Sequence, residues 1–196
     1  PYFDIPFQHA SQGILSAMNR HGNAEAYLAL VETIRSRLPR SVIRTTFLVG
    51  FPGETDADFA SLLGFQEKLR PDWLGCFSYS REEGTAAYAM PRRVPKKTAL
   101  ARKQEVEERQ VRITEENMDR FVNQSLDVLL EERFDGDSDN AEHEDLWLGR
   151  LYCHAPEVDG AAVIAGTMSG TEKAGDVLSC KVIARRGFDL EVRLIS

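Results

Sequence analysis

The sequence predicts an α/β fold followed by an all-β one: a partial parallel α/β barrel and then a small five-stranded β-barrel of OB-like size. Three observations predict it. Apolar β-branched runs alternate with helical patterns up to Tyr79, the order expected of parallel strands with right-handed crossovers. Past Phe121 the pattern changes to five short apolar runs with turn residues between them, the mark of a small barrel. The polar, glycine-rich motifs of the first part all follow strand ends, where parallel α/β barrels carry their chemistry.

The elements justify this in order. Tyr2 to Ile5 reads as the end of a strand broken by Pro6. A helix follows over Ala24 to Leu38, with Tyr27, Leu30, Val31, Ile34 and Leu38 on one face and Pro39 beyond its end. Val42 to Val49 lacks alternation and suits a strand covered on both faces, although Arg44, Thr45 and Thr46 require something polar nearby. Gly50-Phe51-Pro52-Gly53 is a turn, and Thr55 with Asp58 three residues on reads as a capping box. The next helical face, Phe59, Leu62, Leu63, Gln66 and Leu69, stops at Pro71, and Trp73 to Tyr79 is another apolar strand. Pro95 suits the first turn of a charged helix from Lys96 to Asn117, whose sparse apolar positions are Leu100, Val106, Val111 and Met118. The barrel strands are expected at Leu126–Leu130, Leu146–Cys153, Ala161–Ala165, Val177–Ala184 and Phe188–Ile195. The domains are therefore placed at residues 1–120 and 121–196.

Composition narrows the function. The chain has 196 residues, 42% of them hydrophobic and 28% charged, which is ordinary for a globular protein. No stretch approaches the roughly 20 apolar residues that span a bilayer, and no basic-then-apolar leader opens the chain. The opening PYFDIPFQHAS, with Pro1 in place of Met, predicts a piece of a longer protein. Cys76, Cys153 and Cys180 are odd in number and far apart, so they predict neither a disulfide framework nor a metal or cluster site. Residues 121–196 hold 15 acidic against 7 basic side chains. That surface repels phosphate and suits a basic protein.

Three loops are candidates for binding. Gly50 to Thr55 opens where a parallel strand meets a capped helix, and its glycines permit positive φ and close approach of a ligand. Gln8-His9 follows the first strand, on the same barrel face as Glu54. Ser78 to Thr85 follows the third. Each motif is also readable as a plain connection. Asp135 to Asn140 fails the calcium-loop pattern, because Asn140 stands where Gly is needed and Leu146 where Glu is needed, and it reads as a solvated acidic loop.

Taken together, YFDIPFQHAS, ILSAMNR, IRTTFLVGFPGET and LGCFSYSREEGTAA resemble the second half of the radical S-adenosylmethionine (SAM) barrel of the methylthiotransferase family. LGRLYCHAPEVDGAAVI and GDVLSCKVIARRGFDLEVRL resemble the TRAM domain that follows it. The resemblance covers essentially the whole chain. Within the family the tRNA-modifying, MiaB-like branch usually carries Gln-Ser-Gly where this chain has Gln8-His9-Ala10, and tends to have an acidic residue at Arg44-Thr45-Thr46. Gln8-His9, Arg44-Thr45-Thr46, Glu82 to Thr85 and Ala155 to Gly160 resemble the RimO-type branch, which modifies a ribosomal-protein aspartate.

The resemblance implies an enzyme that adds a methylthio group to the β-carbon of an aspartate on small-subunit ribosomal protein twelve, in the bacterial cytoplasm. It implies SAM and two [4Fe-4S] clusters. One cluster reductively cleaves SAM and the other supplies sulfur. The chain lacks the CxxxCxxC triplet and the amino-terminal cluster domain, so by itself it should be inactive and holds no metal ligands. The resemblance places Gly50, Gly53 and Glu54 at the SAM adenosyl group, and Gln8, His9 and Arg44 are further candidates for polar contacts with SAM or substrate. Asp137, Asp139, Glu142 and Glu144 are the expected contacts for the basic ribosomal protein, and RNA is not expected as a partner. The alternatives are a tRNA methylthiotransferase and a non-catalytic TRAM or OB-like binding module.

Overall fold

The computed structural model describes residues 1–134, 146–165 and 170–195. The chain divides into two compact units, Pro1–Thr114 and Glu115–Ser196.

The first unit is built on three parallel strands, β1 (Tyr2–Asp4), β2 (Val42–Val49) and β3 (Trp73–Ser78), in that spatial order. The register runs from Tyr2 opposite Val42 and from Arg44 opposite Trp73 to Val49 opposite Ser78. Helices α1 (Gln12–Ala17) and α2 (Ala24–Arg37) join β1 to β2, α3 (Asp56–Leu69) joins β2 to β3, and α4 (Lys96–Met118) follows. Alternation along β2 sets the layers. Ile43, Phe47 and Val49 pack in the core with Val31 of α2 and Leu62, Phe65 and Leu69 of α3. Arg44, Thr46 and Leu48 are half-buried on the other face, because successive side chains of a strand point to opposite faces. The sheet is open; its three strands are not a closed barrel.

Local chemistry explains the helix ends. Asn23 accepts the Ala26 N–H and starts α2. Thr55 and Asp58 form the reciprocal capping box of α3, satisfying two donors that a helix start leaves open. The helix faces differ from the sequence expectation at particular positions. Leu30 of α2 and Leu38, just past its end, are exposed, as are Leu100 and Val111 of α4. The buried positions of α4 are Ala99, Arg102, Val106, Gln110, Ile113, Thr114 and Met118, so Val106 and Met118 are buried as expected. The polar ones have partners: the Gln66 amide donates to the Val106 carbonyl at 3.0 Å and to Gln110 at 3.1 Å. Gln110 donates to the Pro71 carbonyl at 2.9 Å.

The second unit is a closed barrel with strand order β4-β5-β6-β8-β7. Its strands are β4 (Ser125–Phe134), β5 (Leu146–Arg150), β6 (Ala162–Ala165), β7 (Val177–Arg186) and β8 (Asp189–Leu194). Leu126, Val128 and Leu130 alternate inward with Val182, Leu190 and Val192, and closure leaves no free sheet edge. Gly160 is required by close approach: a Cβ there would sit 2.1 Å from the Phe188 carbonyl oxygen. Asp137, Asp139, Glu142 and Glu144 lie outside the described residues.

Candidate functional site

The carboxy-terminal ends of β1, β2 and β3 bring Gln8, the Gly50–Gly53 turn and Ser78–Ser80 together along one edge of the first unit. Gln8 bridges to β2: its N–H donates to the Thr46 carbonyl at 2.8 Å and its carbonyl accepts from Leu48 N–H at 2.8 Å. It does so at φ 68°, a left-handed conformation uncommon for a residue with a side chain. Gly50 (φ 76°) and Gly53 (φ 92°) share that region. The two glycines differ in surroundings. A Cβ on Gly50 would lie 2.5 Å from Cβ of Ala99, whereas nothing lies within 4 Å of one on Gly53.

Glu54 is turned into the protein. One carboxylate oxygen, Oε2, accepts the N–H groups of Gly50 and of Phe51, the latter at 3.1 Å. The other, Oε1, lies 3.1 Å from Nη1 of Arg102. Burial raises the Glu54 pKa, while Arg102 and the two N–H donors pull it the other way. Arg102 continues to Asp56 at 2.6 Å and donates to the Glu54 carbonyl at 3.4 Å. The glycine turn is thus fastened internally, to its own carboxylate and to α4.

His9 is fully buried. Its Nδ1 accepts the Ser11 N–H at 2.9 Å, which assigns the ring proton to Nε2. That Nε2 has no hydrogen-bond partner. Burial holds the imidazole neutral, with its pKa lowered to about 4. Ser11 donates in turn to Asp58 of the capping box at 2.6 Å. Arg44 is elsewhere. It lies on β2 six residues before Gly50, roughly 20 Å along a strand, and pairs with Asp4 at 3.1 Å. The structure therefore groups Gln8, Gly50 and Gly53 at the strand ends, buries Glu54 and His9 beneath them, and leaves Arg44 apart.

Cys76, Cys153 and Cys180 are all buried. Burial raises the Cys76 thiol to about 12 and the Cys180 thiol to about 11. Among the described residues no group of three His, Cys, Asp or Glu side chains is arranged to hold a metal ion. Sequence reasoning missed Arg102. Its only signal was its place in the 99, 102, 106, 110, 113 spacing, which marks one helical face.

The closed barrel of the second unit matches the TRAM domain family over residues 122–195. Across both units the chain is similar to proteins described as ribosomal protein uS12 methylthiotransferase RimO. The Treponema denticola protein is 44% identical over 97% of this chain and 43% of its own length. The Pseudothermotoga lettingae protein is 44% identical over 85% of this chain and 37% of its own. The Cellvibrio japonicus protein is 40% identical over 97% and 40%. By sequence the chain belongs to this RimO family of methylthiotransferases, and it spans about two fifths of the length of these relatives. In fold it is similar to Escherichia coli coproporphyrinogen III oxidase (HemN), described as a radical SAM enzyme. The TM-score is 0.50 and the identity 16%, over 76% of this chain and 40% of that one.

Proposed function

We propose that this chain forms the carboxy-terminal part of a radical SAM methylthiotransferase that modifies an aspartate of ribosomal protein uS12. The carrying observation is the continuous match through both units, at 44% identity over 97% of the chain, to a protein of that description. In this reading the three parallel strands are one arc of a TIM-like barrel, residues 1–120 supply part of its wall, and residues 121–196 are the TRAM domain.

The strand-end turn fits a small ligand. Gly50 and Gly53 hold positive φ, and the space beside Gly53 is open, so backbone can meet a ligand without an intervening side chain. In this reading Gly50 and Gly53 support the adenosyl group and Gln8 faces the same edge. Glu54 and His9 act from beneath: Glu54 fixes the N–H groups of the turn, and His9 presents one buried Nε2–H donor. Arg44, on the face opposite the helices, is assigned to substrate. When bound, SAM supplies the hydrogen abstraction and the methyl group of the reaction. The clusters require ligands other than Cys76, Cys153 and Cys180. The acidic balance of residues 121–196 suits a basic ribosomal protein.

An amide-resolved NMR titration of this chain with SAM tests the cofactor assignment. Shifts at Gly50, Gly53 and Gln8 that saturate are expected. Shifts absent from the turn, or scattered over both units, contradict it.

A further inference from the structure

Glu54 precedes the N-cap of α3 and takes no part in capping it. Thr55 and Asp58 already satisfy two open donors of that helix start. The Glu54 carboxylate turns back instead to the end of β2, where Oε2 accepts two consecutive N–H groups, those of Gly50 and Phe51. A trans peptide places its N–H and its carbonyl on opposite sides. Holding the Phe51 N–H therefore also faces the Gly50 carbonyl away from Glu54, and the carboxylate sets the peptide orientation of the turn.

The carboxylate is in turn held from α4. Arg102 is buried, and its guanidinium meets three oxygens at the β2–α3 junction. Nη1 lies 3.1 Å from Glu54 Oε1 and donates to the Glu54 carbonyl at 3.4 Å, while Nη2 donates to Asp56 at 2.6 Å. The Phe59 ring lies beneath it, with its centre at 5.3 Å. A planar fork of this kind fixes the direction of its partner as well as neutralising it. Burial pushes the Glu54 carboxyl up, and Arg102 opposes that rise, which favours the ionised form with every oxygen an acceptor.

Stability alone does not account for this pair. A buried ion pair is often no better for stability than apolar residues of similar volume. Ala99, Val106 and Ile113 supply such apolar burial on the same helix. A charge at position 102 adds direction. The turn meets the α4 segment at two further points: Gly53 N–H donates to the Arg92 carbonyl at 2.9 Å, and Ala99 packs against Gly50.

We infer that Arg102 is a positioning residue for SAM binding: it aims Glu54 at the Gly50 and Phe51 N–H groups and so presets the turn that meets the ligand. Preset backbone binds more tightly than backbone that must be ordered by the ligand. The inference rests on the assignment of this turn to SAM, and adds to it a residue of α4 that acts through Glu54.

Amide hydrogen exchange of this chain and its titration with SAM, both at a temperature where every variant is fully folded, test it. In Arg102→Met the Gly50 and Phe51 amides are expected to exchange roughly tenfold faster or more. Tyr79, whose N–H donates to the neighbouring Val49 carbonyl at 2.8 Å, is expected to keep its rate. A residue that only stabilises the fold would speed all three alike. Arg102→Met is expected to bind SAM roughly tenfold more weakly or worse, and Arg102→Lys, which keeps the charge and loses the fork, to fall between it and the unaltered chain. Arg109→Met, which removes the more exposed α4 pairs with Glu105 and Glu67, changes neither reading. Equal acceleration at Gly50, Phe51 and Tyr79, or undiminished SAM affinity in Arg102→Met, would overturn the inference. Should Arg102→Met not fold, unchanged exchange and affinity in Arg102→Lys would overturn it. No SAM binding by the unaltered chain would sink the cofactor assignment and this inference with it.

Discussion

Arg102 of α4 places Nη1 3.1 Å from Oε1 of Glu54, with both side chains almost entirely out of solvent. The pair fastens the glycine turn to a helix that begins at Lys96, about forty residues later in the sequence. Removing one member of a buried pair leaves an uncompensated charge, which costs about 3–5 kcal/mol. Arg102→Met is therefore expected to lower stability by that amount in urea unfolding. Arg102→Met with Glu54→Gln is expected to recover part of the loss. A double variant no better than the single one would show that the pairing contributes little.

The two turn glycines should respond unequally to alanine. Gly53→Ala meets only the positive-φ penalty, about 1–2 kcal/mol, because the space around it is open. Gly50→Ala adds a contact 2.5 Å from Ala99 Cβ, so its loss is larger, and Ala99→Gly should restore part of it. Equal losses at both positions would refute the packing argument.

The sequence shows some of this and hides the rest for physical reasons. The β-branched run of β2 and the Thr55–Asp58 capping box are local signals, and the structure has both where the residues put them. The buried stripe of α4 is not local. Apolar counting selects Leu100 and Val111, which are exposed, and passes over Arg102, Gln110 and Thr114, which are buried. Their burial depends on partners in the 54–72 segment. At the site, glycine chemistry marks the turn. The inward aim of Glu54 and the burial of His9 depend on tertiary neighbours that no spacing encodes.

Acid should destabilise both units through buried neutral histidines. His9 and His154 are lowered from 6.5 to about 4, chiefly by burial. The unfolded chain therefore takes up protons from about pH 6.5 downward while the folded one does not, and stability falls until about pH 4. Between pH 7 and 5 the loss is on the order of 2 kcal/mol per histidine. His9→Asn, which keeps an acceptor for Ser11 N–H, with His154→Asn should flatten this dependence in urea melts. An unchanged pH dependence in that variant would contradict the assignment.

Barrel closure should depend on Gly160. A methyl group there meets the Phe188 carbonyl oxygen, a backbone atom that cannot rotate away. Gly160→Ala is expected to cost about 1–3 kcal/mol and to broaden the amide signals of β6 and β8. Sharp, unshifted signals would show that the strands yield easily.

The measurement that tests the central claim most directly replaces the matching carboxy-terminal part of the Treponema denticola RimO with this chain. The hybrid, with its clusters reconstituted, is incubated anaerobically with SAM, a reductant, ribosomal protein uS12 and tRNA. Mass spectrometry then locates the product. A methylthio group on an aspartate of uS12, and none on tRNA, is the predicted result. Methylthiolated tRNA with unmodified uS12 would contradict the account.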